Sequence, residues 1–164
     1  MEILGILEQN EELAEELQER VDLVVHKLKF FPDKLKMIIL ENLNPVKSAV
    51  NETLKDMMTK AGGSYYDVQI WDEVLDLDPD VIILSFPEES LESSLGKASG
   101  IFQKEDFSNL KAVKENKVFI FDNRFLHTSV AQEKVDVLEA LAEIITPKYF
   151  SFGLDGQVWI KLGI

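Results

Sequence analysis

A chain of 164 residues with 46% hydrophobic content is long enough to bury one sizeable core and short for two ordinary domains. Its 30 acidic and 17 basic residues leave a net charge of -13, which repels phosphate backbones and anionic membrane faces, so nucleic acid is not an expected partner. With no cysteine, disulfides, thiolate metal sites and a cysteine nucleophile are excluded.

The start, Met1-Glu2-Ile3-Leu4-Gly5, lacks the basic region and small-residue cleavage site of a secretory signal, so the chain as written is expected in the cytoplasm. No apolar run approaches the roughly 20 residues of a bilayer span, so it is not expected to be membrane-integral. From Asn10 to about Phe30, Leu13, Leu17, Val21, Val24, Val25 and Leu28 fall at the spacing of an amphipathic helix. Asn10 is its candidate N-cap and Pro32 its stop. Met37-Ile38-Ile39-Leu40 reads as a strand buried on both faces, followed by a loop from Glu41 to Val46.

Residues 47–60 carry Val50, Leu54, Met57 and Met58 at helical spacing and stop at Ala61-Gly62-Gly63, where glycine supplies a left-handed cap. Tyr65 to Gln69 reads as a short strand, Trp71 to Leu77 as a short helix, and Val81-Ile82-Ile83-Leu84 as a second buried strand. The polar stretch from Ser85 to about Ser99 suggests a loop with one short helix near Glu88 to Leu95. A short helix near Phe107 to Val113 precedes the strand Lys117 to Phe121, the loop Asp122 to Ser129, and a long helix from Val130 to Ile145 that ends before Pro147. Tyr149 to Leu154 and Gln157 to Leu162 flank Asp155-Gly156 and predict a terminal β-hairpin.

Strands alternating with helices predict a three-layer αβα sandwich around a mainly parallel sheet, with a long N-terminal helix and that hairpin. The expected organisation is one α/β domain over 1–164: a helix segment at 1–31, a lobe at 35–147 and an extension at 148–164. Ligands in such sheets sit beyond the carboxyl ends of the strands, here the loops at Glu41, Ser85 and Asp122.

Taken in order, the segments resemble one lobe, the C-terminal one, of the helical-backbone periplasmic binding proteins that serve cobalamin and iron-chelate ABC importers. Ile3 to Leu28 resembles the exit from the first lobe and the connecting helix, and Ala61-Gly62-Gly63 the end of a helix in the second lobe. Trp71 to Ile83 is similar to the family's acidic helix and Asp-Pro-Asp-led strand. Leu110 to Phe119 resembles the approach to the last strand, and Leu141 to Pro147 the closing helix. Three features depart from the pattern. Nothing in this sequence corresponds to a signal or first lobe, Ser129-Val130-Ala131-Gln132 stands where the family often has proline and arginine, and the hairpin is additional.

The resemblance implies ligand contacts from Asn42, Asn44, Pro45, Ser85, Asn123, Arg124 and Phe125, with Arg124 suited to an anionic chelate and Phe125 to a flat ring. The Asn44-Pro45 pair equally suits the start of a helix at Lys47, and the 122–129 loop an ordinary solvated loop. Asp72, with Glu73 beside it, lies where the family has a carboxylate that docks onto arginines of an ABC permease, although both also suit the first turn of a helix. His127 and His26 lie far apart in the sequence, so no metal site is expected, and no motif predicts catalysis or a cofactor.

Two function classes follow. One is a substrate-binding lobe for a cobalamin, haem or iron-chelate ligand, and the other an interaction or homodimerisation module that has lost its ligand.

Overall fold

The computed structural model describes residues 11–31, 34–49, 51–87 and 89–163. Helix α1 (Glu11–Leu28) buries Leu17, Val21, Val24 and Leu28, the three-and-four stripe that an amphipathic sequence turns towards a core. Its acids lie at the N-terminal end and His26 and Lys27 in the last turn, both favourable to the helix dipole. Strand β1 (Leu35–Leu43) is buried without interruption from Met37 to Leu40. It turns at Asn44-Pro45, a cis peptide, into β2 (Val46–Ser48).

Helix α2 (Glu52–Lys60) starts at Asn51, whose side chain accepts from the Leu54 N–H at 3.0 Å. It ends at Ala61, and Gly62 follows at φ 98°, a left-handed conformation that glycine adopts without steric cost. Strand β3 (Gly63–Tyr65) then passes so close to β1 that a Cβ on Gly63 would overlap the sulfur of Met37.

Next come α3 (Trp71–Leu77), β4 (Val81–Leu84) and α4 (Leu91–Ala98), the last with a reciprocal Ser90–Ser93 capping box. Two 3-10 turns, Ser99–Gln103 and Phe107–Asn109, lead to α5 (Lys111–Lys114), β5 (Val118–Phe121), α6 (Asn123–Leu126), α7 (Ala131–Ile145) and β6 (Trp159–Lys161).

The sheet order is β2-β1-β4-β5-β6, with β3 pairing β1 as well. Strands β1, β3, β4 and β5 are parallel, while β2 and β6 run antiparallel at the ends of the order. Because strand side chains alternate, Met37, Ile39, Val81, Ile83, Phe119 and Phe121 meet α1, α2 and α7 on one face. Ile38, Leu40, Ile82, Leu84, Val118 and Ile120 meet α3, α4 and α5 on the other, which gives the three-layer αβα arrangement.

Several local expectations are corrected. The loop after β1 is a strand extension and a tight turn, because Leu43 and Val46 are both buried and hold the chain on the sheet. Residue 47 therefore belongs to β2, so Asn44-Pro45 starts no helix and the cap is Asn51. The strand expected at Tyr65 to Gln69 lies at Gly63–Tyr65, and the short helix near Leu95 is centred later. The 122–129 loop opens with the single turn α6.

The terminal hairpin does not form. Gly156 makes the expected turn at φ 86°, but only the second limb is a strand, and it pairs with β5 rather than with residues 149–154. The first limb is claimed by Glu143, whose buried carboxylate accepts from the backbone N–H groups of Phe152 and Gly153 at 2.6 and 3.1 Å, and from Trp159 Nε1 at 3.1 Å. The Asn10 cap, the Ile3 to Leu7 segment, the Pro32 stop and Val50 lie outside the described residues.

Candidate functional site

Parallel pairing of β1, β4 and β5 brings their carboxyl ends to one side of the sheet, so Glu41, Ser85 and Asp122 emerge side by side. Asp122 is buried and caps α6, accepting from the Arg124 backbone N–H at 3.0 Å. That turn swings Asn123 inward. Its carboxamide donates to Glu41 Oε2 at 3.0 Å, to the Ser85 carbonyl at 3.0 Å and to Ser85 Oγ at 3.1 Å. His127 Nε2 lies 3.0 Å from the same Glu41 oxygen. One polar cluster thus ties together the ends of three strands, and its outer members, His127 and Arg124, face solvent.

Arg124 forks onto Asp122 through Nε and Nη2, the latter at 2.7 Å, while its own side chain stays 80% exposed. Its guanidinium lies 5.9 Å from the centre of the Phe125 ring, which is half-buried against the core. Burial, then the negative charges of Asp67 and Glu41, push the Tyr65 phenol up to about 12, so it is neutral beside this cluster at ordinary pH.

The β1–β2 turn forms a second part of the same rim. Asn42 donates to the Pro45 carbonyl at 2.9 Å, so its amide holds the turn. Asn44 accepts from Lys104 Nζ at 2.6 Å, and that ammonium also lies 5.8 Å from the Trp71 ring. Asn42, Leu43, Asn44, Phe86, Lys97 and Gly100 line a shallow cavity of about 160 Å³. This is smaller than the roughly 300–1,000 Å³ of a pocket that encloses a drug-sized ligand. The geometry is that of one open face.

Ser85 and Asn123 therefore meet in the cluster, Asn42, Asn44 and Pro45 form the neighbouring turn, and Arg124 and Phe125 stand at the outer edge. Asp72 and Glu73 are exposed in the first turn of α3, beside Trp71. Glu73 accepts from the Gln69 N–H at 3.2 Å, the work of a helix-end acid. Sequence reasoning missed Glu41 and Lys104. A charged residue directly after an all-apolar strand was the available signal for Glu41, whereas Lys104 reaches the rim from 60 residues beyond Asn44, a contact that no local pattern encodes. Among the described residues, no three histidine, aspartate or glutamate side chains are grouped to hold a metal ion, and no helix is long and apolar enough to cross a membrane.

No family model matches this sequence, and no curated protein matches it either. Solved structures do. The TroA-like periplasmic binding protein FepB from Veillonella parvula superposes with a TM-score of 0.67 at 19% identity, over 85% of this chain and 47% of its own. A periplasmic heme-binding protein from Pseudomonas aeruginosa gives 0.70 at 13% identity, over 98% of this chain and 61% of its own. The ABC-type Fe3+-hydroxamate transport protein of Saccharomonospora viridis gives 0.65 at 19% identity, over 82% and 48%.

The fold is that of a lobe of the TroA-like periplasmic binding proteins, and the resemblance read from the sequence holds at that level. The chain spans about half the length of these neighbours, whose names describe a periplasmic binding protein, an Fe3+-hydroxamate transport system and a heme-binding protein.

Proposed function

We propose that this chain is a substrate-binding lobe that presents the carboxyl ends of β1, β4 and β5 to a flat or anionic ligand, such as haem, a ferric hydroxamate or cobalamin. The observation that supports this most directly is the cluster of Glu41, Ser85, Asn123 and His127 at the strand ends, with an exposed cation and an aromatic ring at its edge. Asp122 holds Arg124 and Glu41 holds His127, so these outer side chains are oriented before a ligand arrives. Lys104 adds a cation that meets a neutral amide and a π face. Asp72 and Glu73 at the same rim would meet the arginines of an ABC permease while the mouth is occupied.

Titration with haemin, a ferric hydroxamate siderophore and cobalamin tests the reading, followed by absorbance and by fluorescence of Trp71. Saturable binding of one of them is expected, weakened by about tenfold, or about 1.4 kcal/mol, in each of Arg124→Ala and Lys104→Ala. Absence of saturation with all three up to about 100 μM sinks it. The cytoplasmic location expected from the sequence start differs from the periplasmic one in the neighbours' names, and fractionation of cells that express the native gene decides between them.

A second reading, an interaction or self-association module, is favoured by one observation. Leu23 on the outer face of α1 and Phe30 in the turn after it are 47% and 75% exposed.

A further inference from the structure

We propose that α1 is the interface for a second copy of this chain, packed antiparallel about a two-fold axis level with Val21. The inference rests on the interaction reading and names its partner and register. The outward stripe of the helix and the turn after it runs Glu12, Glu16, Glu19, Leu23, His26 and Phe30, spaced alternately four and three apart, and all six are exposed.

The stripe is divided by charge. Counting the exposed residues that flank it, Glu11, Glu12, Glu15, Glu16 and Glu19 occupy the first half, and His26, Lys27 and Lys29 the end, where Lys27 also donates to the Tyr149 carbonyl at 3.4 Å. A two-fold at Val21 sets Glu12 of one copy opposite Phe30 of the other, Glu16 opposite His26 and Glu19 opposite Leu23. Glu15 and Glu16 then come level with His26 and Lys27. The same operation applied to the partner gives the same pairs, which is the self-complementarity a two-fold interface requires.

Phe30 is the most exposed large hydrophobic residue among those described, and His26 already meets its ring edge-on at 6.3 Å. In a chain of net charge -13, an anionic membrane is a poor occupant for this basic end, whereas the acidic half of an identical helix is a matched one. Both α1 and α7 run from the carboxyl to the amino end of the sheet, since Arg20 pairs with Asp136 and Glu139 while Leu28 and Ile145 both reach Gly62. An antiparallel pair therefore points the two mouths in opposite directions, and dimerisation is separable from ligand capture.

Light scattering and sedimentation equilibrium on the full chain, without ligand, are expected to show a dimer whose Kd weakens by about tenfold between 0.05 and 0.5 M NaCl. Glu12→Lys/Glu15→Lys/Glu16→Lys should be monomeric, as should His26→Glu/Lys27→Glu/Lys29→Glu, while their mixture re-forms a heterodimer. Circular dichroism verifies that both are folded.

Because the chain lacks cysteine, Glu16→Cys/His26→Cys supplies a second readout. Those positions lie about 15 Å apart within one helix, too far to bridge, but face each other across the proposed pair. The double variant should oxidise to a covalent dimer and Glu16→Cys alone should not. A chain that stays monomeric at about 500 μM overturns both the interface and the interaction reading. A dimer indifferent to the charge reversals and not captured by the cysteine pair overturns the α1 assignment alone. A monomer that floats with anionic phospholipid vesicles through its basic end overturns it in favour of a lipid surface.

Discussion

Two buried carboxylates hold separate parts of the fold. Glu143 anchors the tail through three N–H donors while it is itself 6% exposed, so Glu143→Ala removes the shared acceptor of three part-buried hydrogen bonds. A loss of about 3 kcal/mol in urea unfolding is expected. Asp80, at the amino end of β4, accepts from the Lys36 N–H at 2.8 Å and pairs with Lys111 at 2.8 Å. Burial pushes its carboxyl up, but the hydrogen bonds from Lys111 and Lys36 outweigh that and hold it below the ordinary range. Its folded value is thus below its unfolded one, so its contribution is present above about pH 4 and is lost as the pH falls through the folded value. Asp80→Asn should flatten the acid limb of a melting-temperature series between about pH 6 and pH 2.

Most elements were legible because their signals are local. Apolar runs mark β1, β4 and β5, and Gly62 lies where the sequence demands a left-handed residue. Asn51 carries a local cap signal that the reading of a helix from residue 47 passed over, and Asn51→Ala should cost about 1 kcal/mol in thermal or urea unfolding through loss of the Leu54 bond. The elements that were misread are those decided by distant partners. Lys47 sits in a window of helical periodicity, yet Val46 and Ser48 are buried against β1, and sheet pairing overrides the propensity. The tail residues have the alternation of a hairpin limb, but Glu143 offers their N–H groups a better acceptor than a facing strand.

At the scale of the molecule, β6 makes the tail part of the sheet, since it pairs with β5 and sets Trp159 edge-on against Phe119 at 5.5 Å. Removal of residues 148–164 should uncover one side of β5 and abolish the cooperative unfolding transition seen by circular dichroism, rather than merely trim an appendage. The candidate mouth was legible only by location. The rule that ligands gather at the carboxyl ends of parallel strands pointed to the loops at Glu41, Ser85 and Asp122. Which side chains meet there was not, because Asn123 reaches Glu41 across 82 residues of sequence and Lys104 reaches Asn44 across 60.

The sequence by itself determined the αβα architecture, the buried strands, the apolar stripe of α1 and the loops that follow the strand ends, because each depends on periodicity or turn chemistry within a few residues. Only the tertiary structure decided the β1–β2 turn, the edge strand in place of a hairpin and the membership of the polar cluster. Those outcomes turn on competition among buried donors and acceptors for partners far along the chain, and burial settles that competition only once the sheet has assembled.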